Sequence, residues 1–234
     1  RNNPSAASGG NVLANLLGKK YKGIAIISEN TAYAQVLRKI FIQKLNDLGG
    51  QLSVDEVFSP DTKDFRPIIS KIKNSKAEAL VINPQTEQIG GLLIKEARKA
   101  KLPMPIYINL VPTGPKLIEV AGKAADGVVF TDLPSLDTAN SRVSAFFEDY
   151  KKTFSAATST AFYMAAAYDA VNILVQAVET VGDDAEKIRN YLYNLPEYDG
   201  LIGRYSFDMN GDVVGVSLVL RMIKDGKVED GIIN

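Results

Sequence analysis

The chain has 234 residues, with 27 Lys+Arg against 27 Asp+Glu, and it contains no His, Cys or Trp. That composition excludes Ser-His-Asp and Cys-His nucleophile systems, thiolate or imidazole metal sites, iron–sulfur clusters and disulfides. The fold must rest on buried apolar area, which a chain of this length can supply as one large domain or two small ones. Zero net charge without a long basic run predicts no nucleic-acid partner. No uninterrupted apolar stretch reaches about 18 residues, so no membrane span is expected. No metal and no cofactor is expected either.

The opening Arg1-Asn-Asn-Pro-Ser-Ala-Ala-Ser-Gly9-Gly10 has neither the charged nor the apolar region of a secretory signal. It reads as a linker or loop, and the absence of an initial Met suggests a processed, cut or fragmentary chain.

From Lys22 a rhythm begins. Gly23-Ile24-Ala25-Ile26-Ile27 is a short apolar run of the kind found in strands covered on both faces. Tyr33 to Leu48 carries apolar residues at helical spacing and ends at Gly49-Gly50. Leu52–Phe58 reads as a second strand, and Asp64 as the N-cap of a helix bearing Phe65, Ile68, Ile69 and Ile72. Ala79–Ile82 reads as a third strand, followed by a helix with Ile89, Leu92, Leu93 and Ala97. A fourth strand spans Pro105–Ile108, a short helix Leu117–Ala121, and a fifth strand Gly127–Phe130. Five alternations predict a parallel sheet wound with helices on both faces.

After Pro134 the pattern changes. Helices are predicted over Ser141–Phe154, Thr160–Val181 and Ala185–Leu195, then β signals at Arg204–Phe207 and Val213–Ile223 and a turn at Asp225-Gly226. Asp208-Met-Asn-Gly-Asp212 resembles the start of a calcium loop, but the twelfth position is Val219 rather than Glu, and a hairpin turn is the expected reading.

In open parallel sheets, ligands sit beyond the carboxyl ends of the strands. Those positions hold Ser28-Glu29-Asn30-Thr31-Ala32-Tyr33, then Asn83-Pro84-Gln85-Thr86-Glu87, then Asn109-Leu110, and finally Thr131-Asp132. These hydrogen-bonding groups around one ring suit recognition of a small polar molecule. Thr31, Thr86 and Thr113 also stand where helix N-caps are expected, so capping competes with ligand binding at each. A Glu29/Asp132 carboxylate pair is the weaker alternative. Phosphate-loop glycine motifs are absent.

Gly23–Ile27 followed by a loop and Tyr33, Asp64-Phe65 opening a helix, and Asp126-Gly127-Val-Val-Phe resemble the type I periplasmic solute-binding proteins of branched-chain amino acid transport. Ala167-Tyr168-Asp169-Ala170-Val171 and Asp199-Gly200-Leu-Ile-Gly203-Arg-Tyr-Ser-Phe207-Asp208 resemble the same family. The resemblance implies an α/β, periplasmic-binding-protein-like fold of type I. One doubly wound parallel-sheet lobe (21–132) would follow a linker or crossover helix (1–20) and precede part of a second lobe and hinge (133–234), with the family's N-terminal third lacking.

The implied function is an extracytoplasmic, non-enzymatic receptor capturing a small amino acid, amide or carboxylate between two lobes for the membrane permease of an ABC importer. Alternatives are a ligand-sensing regulatory module of this fold, or a self-assembling fragment without binding activity. A homodimer or complementing chain would cover the apolar faces of the 141–181 helices. The expected ligand residues are Asn30, Tyr33, Gln85, Thr86, Asn109 and Leu110. Two departures stand out. The family's Tyr-Gly-x-Gly is Tyr33-Ala34-Gln35-Val36 here, and its acidic residue after the fourth strand is replaced by Asn109-Leu110, which disfavours a free ammonium.

Overall fold

The computed structural model describes residues 1–109, 114–154 and 161–230. They form two compact units, one of Ala6–Asp132 with Leu218–Asn234 and the other of Arg1–Ser5 with Leu133–Ser217. The first contains α1 (Ala6–Lys20), β1 (Gly23–Glu29), α2 (Ala32–Asp47), β2 (Gln51–Phe58), α3 (Arg66–Lys73), β3 (Ala79–Asn83), α4 (Glu87–Lys99), β4 (Ile106–Ile108), α5 (Pro115–Ala121) and β5 (Val129–Asp132). The chain then forms α6 (Ser141–Phe154), α7 (Ala161–Val181), α8 (Ala185–Tyr193), β6 (Tyr198–Gly200), β7 (Gly203–Phe207) and β8 (Val213–Val214). It returns to the first unit as β9 (Val219–Lys224) and β10 (Lys227–Asp230).

The first unit is built on a seven-stranded sheet of order β10-β9-β5-β4-β3-β1-β2. Strands β2, β1, β3, β4 and β5 run parallel; β9 is antiparallel to β5, and β10 to β9. Every residue of β1 and β3 is buried, as their unbroken apolar runs require. Strand alternation divides the core in two. Ala25, Ile27, Leu80, Ile82, Ile106, Ile108 and Phe130 face α3, α4 and α5. Ile24, Ile26, Ala79, Val81 and Tyr107 face Leu13, Ala14 and Leu17 of α1 and Phe41 and Leu45 of α2.

Several expectations change here. The opening residues are not all linker, because Ala6–Gly10 already belong to α1. A Cβ on Gly10 would stand 2.8 Å from the Ile40 side chain and 3.1 Å from the Phe41 nitrogen, so this glycine permits close helix packing rather than flexibility. Asp64 precedes α3 without being its cap; Phe65 holds that position, and Asp64 Oδ1 accepts from the Arg66 backbone nitrogen at 3.0 Å. Val213–Ile223 splits into β8 and β9, which serve different units. The Asp225-Gly226 turn is a two-residue hairpin with positive φ at both positions (49° and 71°).

In the second unit, β6, β7 and β8 form a small antiparallel sheet. Val143, Phe162, Ala165, Ala166, Ile173, Leu201, Ile202, Tyr205 and Val216 form its core. Asp208 makes the expected turn: its Oδ1 accepts from Asn210 N at 2.8 Å and Asp212 N at 2.9 Å. No cluster of three metal-ligating side chains occurs among the described residues. Against the expectation from the sequence, α7 is long and apolar enough, by length and composition alone, to cross a membrane. One face of it, with Asp169 buried and bonded to Leu201 N, packs in the core of this unit.

Candidate functional site

The sheet order 2-1-3-4-5 has its switch point between β1 and β3, because α2 leaves β1 on one face and α3 enters β3 on the other. A crevice at the carboxyl end of such a switch point is the ligand-binding position of doubly wound folds. Here the last residues of β1 and β3 are polar but buried: Ser28, Glu29 and Asn83.

These three side chains join the loops to one another. Asn83 Nδ2 donates to Ser28 Oγ at 3.2 Å and to the Ala34 carbonyl at 2.6 Å, tying β3 to the first turn of α2. Glu29 is 4% exposed, and its Oε2 accepts from the Gln85 backbone nitrogen at 2.7 Å. The Gln35 amide donates to the Glu29 carbonyl at 2.9 Å. Thr31 Oγ1 donates to Gln85 Oε1 at 2.8 Å and accepts from Ala34 N at 3.3 Å. The β1–α2 and β3–α4 loops are therefore one hydrogen-bonded platform. Asn83 Oδ1 is a buried atom of this network without a partner among the described residues; each bond that is made would, if lost, leave a further desolvated group behind.

Of the residues expected at the site, Asn30, Tyr33, Gln85, Thr86 and Asn109 lie at this edge, while Leu110 lies outside the described residues. Tyr33 stands on the first turn of α2 and is 37% exposed. Asn30 is exposed, with its backbone nitrogen bonded to the Phe58 carbonyl at 2.8 Å. Asn109 is fully buried directly after β4, its nitrogen bonded to the Ile82 carbonyl at 3.2 Å. The capping expectation holds at Thr31 and at Thr86, whose Oγ1 accepts from Ile89 N at 3.3 Å. Thr113 lies outside the described residues.

The Glu29/Asp132 pair does not form. Two strands, β3 and β4, separate β1 from β5, a distance of about 14 Å at ordinary strand spacing. Asp132 Oδ2 instead accepts from Arg221 Nη1 of β9 at 2.6 Å. Glu87 also serves structure: its Oε2 accepts from Lys116 N at 3.0 Å and Leu117 N at 3.3 Å, capping α5. Glu29 and Asn83, read from the sequence only as strand-end polar groups, are the buried anchors of this edge. Asn83 directly follows the Ala79–Ile82 apolar run and Glu29 follows the Gly23–Ile27 run after Ser28, but nothing local marks either as buried.

A mostly parallel sheet wound with helices on both faces, with polar groups along its carboxyl edge, defines a doubly wound α/β fold. The family described as periplasmic binding protein matches residues 2–227, and the chain belongs to it. It is 28% identical over 195 residues to Leu/Ile/Val-binding protein homolog 1 of Brucella abortus (strain 2308), a match covering 81% of this chain and 50% of that protein. The structure of a leucine binding protein LivK from Thermotoga maritima superposes with a TM-score of 0.78 at 25% identity, over 97% of this chain and 65% of that one. LivJ from Streptococcus pneumoniae in complex with isoleucine shares the fold, with a TM-score of 0.73 at 22% identity, over 96% of this chain and 64% of that one. The chain spans about half the length of the curated relatives it matches.

Proposed function

We propose that this chain carries part of the ligand site of an extracytoplasmic solute receptor that captures a small amino acid or related carboxylate for an ABC importer, without chemical conversion of the ligand. The observation that carries this reading is the platform at the β1/β3 switch point, where Glu29 and Thr31 hold Gln85 and Asn83 ties β3 to the first turn of α2, which carries Tyr33. Its groups recognise by hydrogen bonding, and a chain without His or Cys lacks the usual nucleophile–base pairs. The Leu/Ile/Val-binding and leucine-binding names of its relatives supply the ligand class to test.

The ligand residues in this reading are Asn30, Tyr33, Gln85, Thr86 and Asn109. Asn109 stands where the acidic partner of an amino acid's ammonium is expected in relatives, so recognition shifts toward the carboxyl end and the body of the ligand. A membrane permease is the partner of the loaded receptor in this reading.

Calorimetric titration and thermal-shift measurement of the purified protein with L-leucine, L-isoleucine, L-valine and isovalerate test it. Saturable binding is expected, with about 2.7 kcal/mol of added stability at a hundredfold excess over Kd. Absence of binding by all four, or their chemical conversion, would overturn the reading.

A further inference from the structure

The Thr31 hydroxyl has one proton and two lone pairs. Its oxygen accepts from Ala34 N as the N-cap of α2, which leaves the proton to be donated, and the atom 2.8 Å away is Gln85 Oε1. Exchanging the oxygen and nitrogen of this amide would aim Nε2 at Thr31 and leave the hydroxyl proton without an acceptor among the described residues. The hydrogen-bond network thus selects one amide orientation. The Gln85 backbone is held independently, through its nitrogen, by the buried Glu29 carboxyl group at 2.7 Å. What remains is Gln85 Nε2. It makes no hydrogen bond among the described residues, and Gln85 is exposed at the carboxyl edge of the sheet.

We infer that Gln85 is a specificity-determining residue that presents a donor, and only a donor, to an acceptor group of the ligand, with Thr31 as the positioning residue that orients its amide. The ligand chemistry this selects is an acceptor oxygen, and a carboxylate is the probe of choice because a charged acceptor makes the stronger bond. A ligand ammonium is not matched by this group. The inference rests on the reading of this edge as a solute site.

The test is calorimetric titration of the purified protein with L-leucine and with isovalerate, which carries a carboxylate and no ammonium. Gln85→Glu is the decisive variant. It keeps the side-chain length and an acceptor for the Thr31 hydroxyl, but it replaces the free donor with a second acceptor. Binding is expected to weaken by about tenfold to a hundredfold for the probe that the unmodified protein binds, as for loss of a hydrogen bond to a charged group. The loss is expected to exceed that of Gln85→Ala, since the added carboxylate also repels. Thr31→Ser should keep the affinity within about twofold, and Thr31→Val should weaken it, because only Ser retains both the cap and the orienting proton. Thermal melts of the same variants separate lost folding from lost recognition.

If the protein binds a probe and Gln85→Glu leaves the affinity unchanged or raises it, Gln85 faces no acceptor and this inference fails alone. If the unmodified protein binds neither probe nor L-isoleucine nor L-valine, the solute-site reading fails and takes this inference with it.

Discussion

The two units solve the burial problem differently. In the first, a parallel sheet carries helices on both faces, and each strand's alternation feeds two separate cores, so residues as large as Phe41 and Phe130 are fully buried. In the second, three helices pack on three short strands around one core. There α7 buries Phe162, Ala165, Ala166, Asp169, Ile173 and Ala177, while Val171, Leu174, Val175 and Val178 stay 41–62% exposed. A twice-covered sheet closes its own core. A helix packed along one side leaves the rest of its apolar circumference uncovered within its own unit. The first unit should therefore register core truncation most strongly, and the second should depend more on individual polar clamps.

The largest effect is expected at Phe41. Replacement by Ala removes a ring packed between α1, α2 and the sheet, and such truncations cost about 3–5 kcal/mol. Urea unfolding should show a lower midpoint with an unchanged slope. A loss below about 1 kcal/mol would mean that this face is not closed.

Much of the first unit was readable from sequence because its strands are buried on both faces and appear as unbroken apolar runs. The same logic fails for short or exposed strands. β10, Lys227–Asp230, is exposed at all four positions and contains one apolar residue, so only its pairing with β9 makes it a strand. β6 has three residues, too few for any period. The return of β9 and β10 to the first sheet is a long-range pairing that no local pattern encodes. At the site, the positions of Tyr33 and Gln85 followed from the rule for strand ends. Glu29 as a buried anchor did not, because nothing local distinguishes an exposed strand-end carboxylate from one held by the backbone of a neighbouring loop. The motif fragments around Asp169 and Gly200 were recognised separately; the structure links them. Asp169 accepts from Leu201 N at 2.8 Å and Ile202 N at 3.1 Å, and a Cβ at position 200 would stand 2.3 Å from its carboxylate.

That clamp yields the second prediction. Asp169→Ala leaves two buried N–H groups unsatisfied, at about 1–3 kcal/mol each, and should destabilise the second unit by a few kcal/mol. Its pH dependence carries a sign. Burial raises the Asp169 carboxyl above its ordinary value, outweighing the two backbone N–H donors that lower it. The folded state then holds the proton more tightly than the unfolded one. The group's favourable contribution is complete below the unfolded value and declines as pH rises through the folded one. Asp208 of the same unit is lowered by the Asp212 and Asn210 backbone donors, so its contribution is present above the unfolded value and lost as pH falls through the folded one. Stability of the wild type relative to Asp169→Asn should fall as the solution is brought from acid to neutral pH. Relative to Asp208→Asn it should rise. Equal slopes for the two variants would remove the distinction between a buried and a solvent-facing clamp.

The smallest effect tests the exposed side of α7 directly. Val171 is 62% exposed, whereas Ile173, two residues along the helix, is 3% exposed and packed in the core. Val171→Gln exchanges a β-branched residue for a better helix former in solvent and should change stability by no more than about 0.5 kcal/mol in either direction. Ile173→Ala should cost about 2–5 kcal/mol. If Val171→Gln proves as damaging as Ile173→Ala, the outer face of α7 is covered in the folded protein. The second unit would then be closed on both sides, like the first.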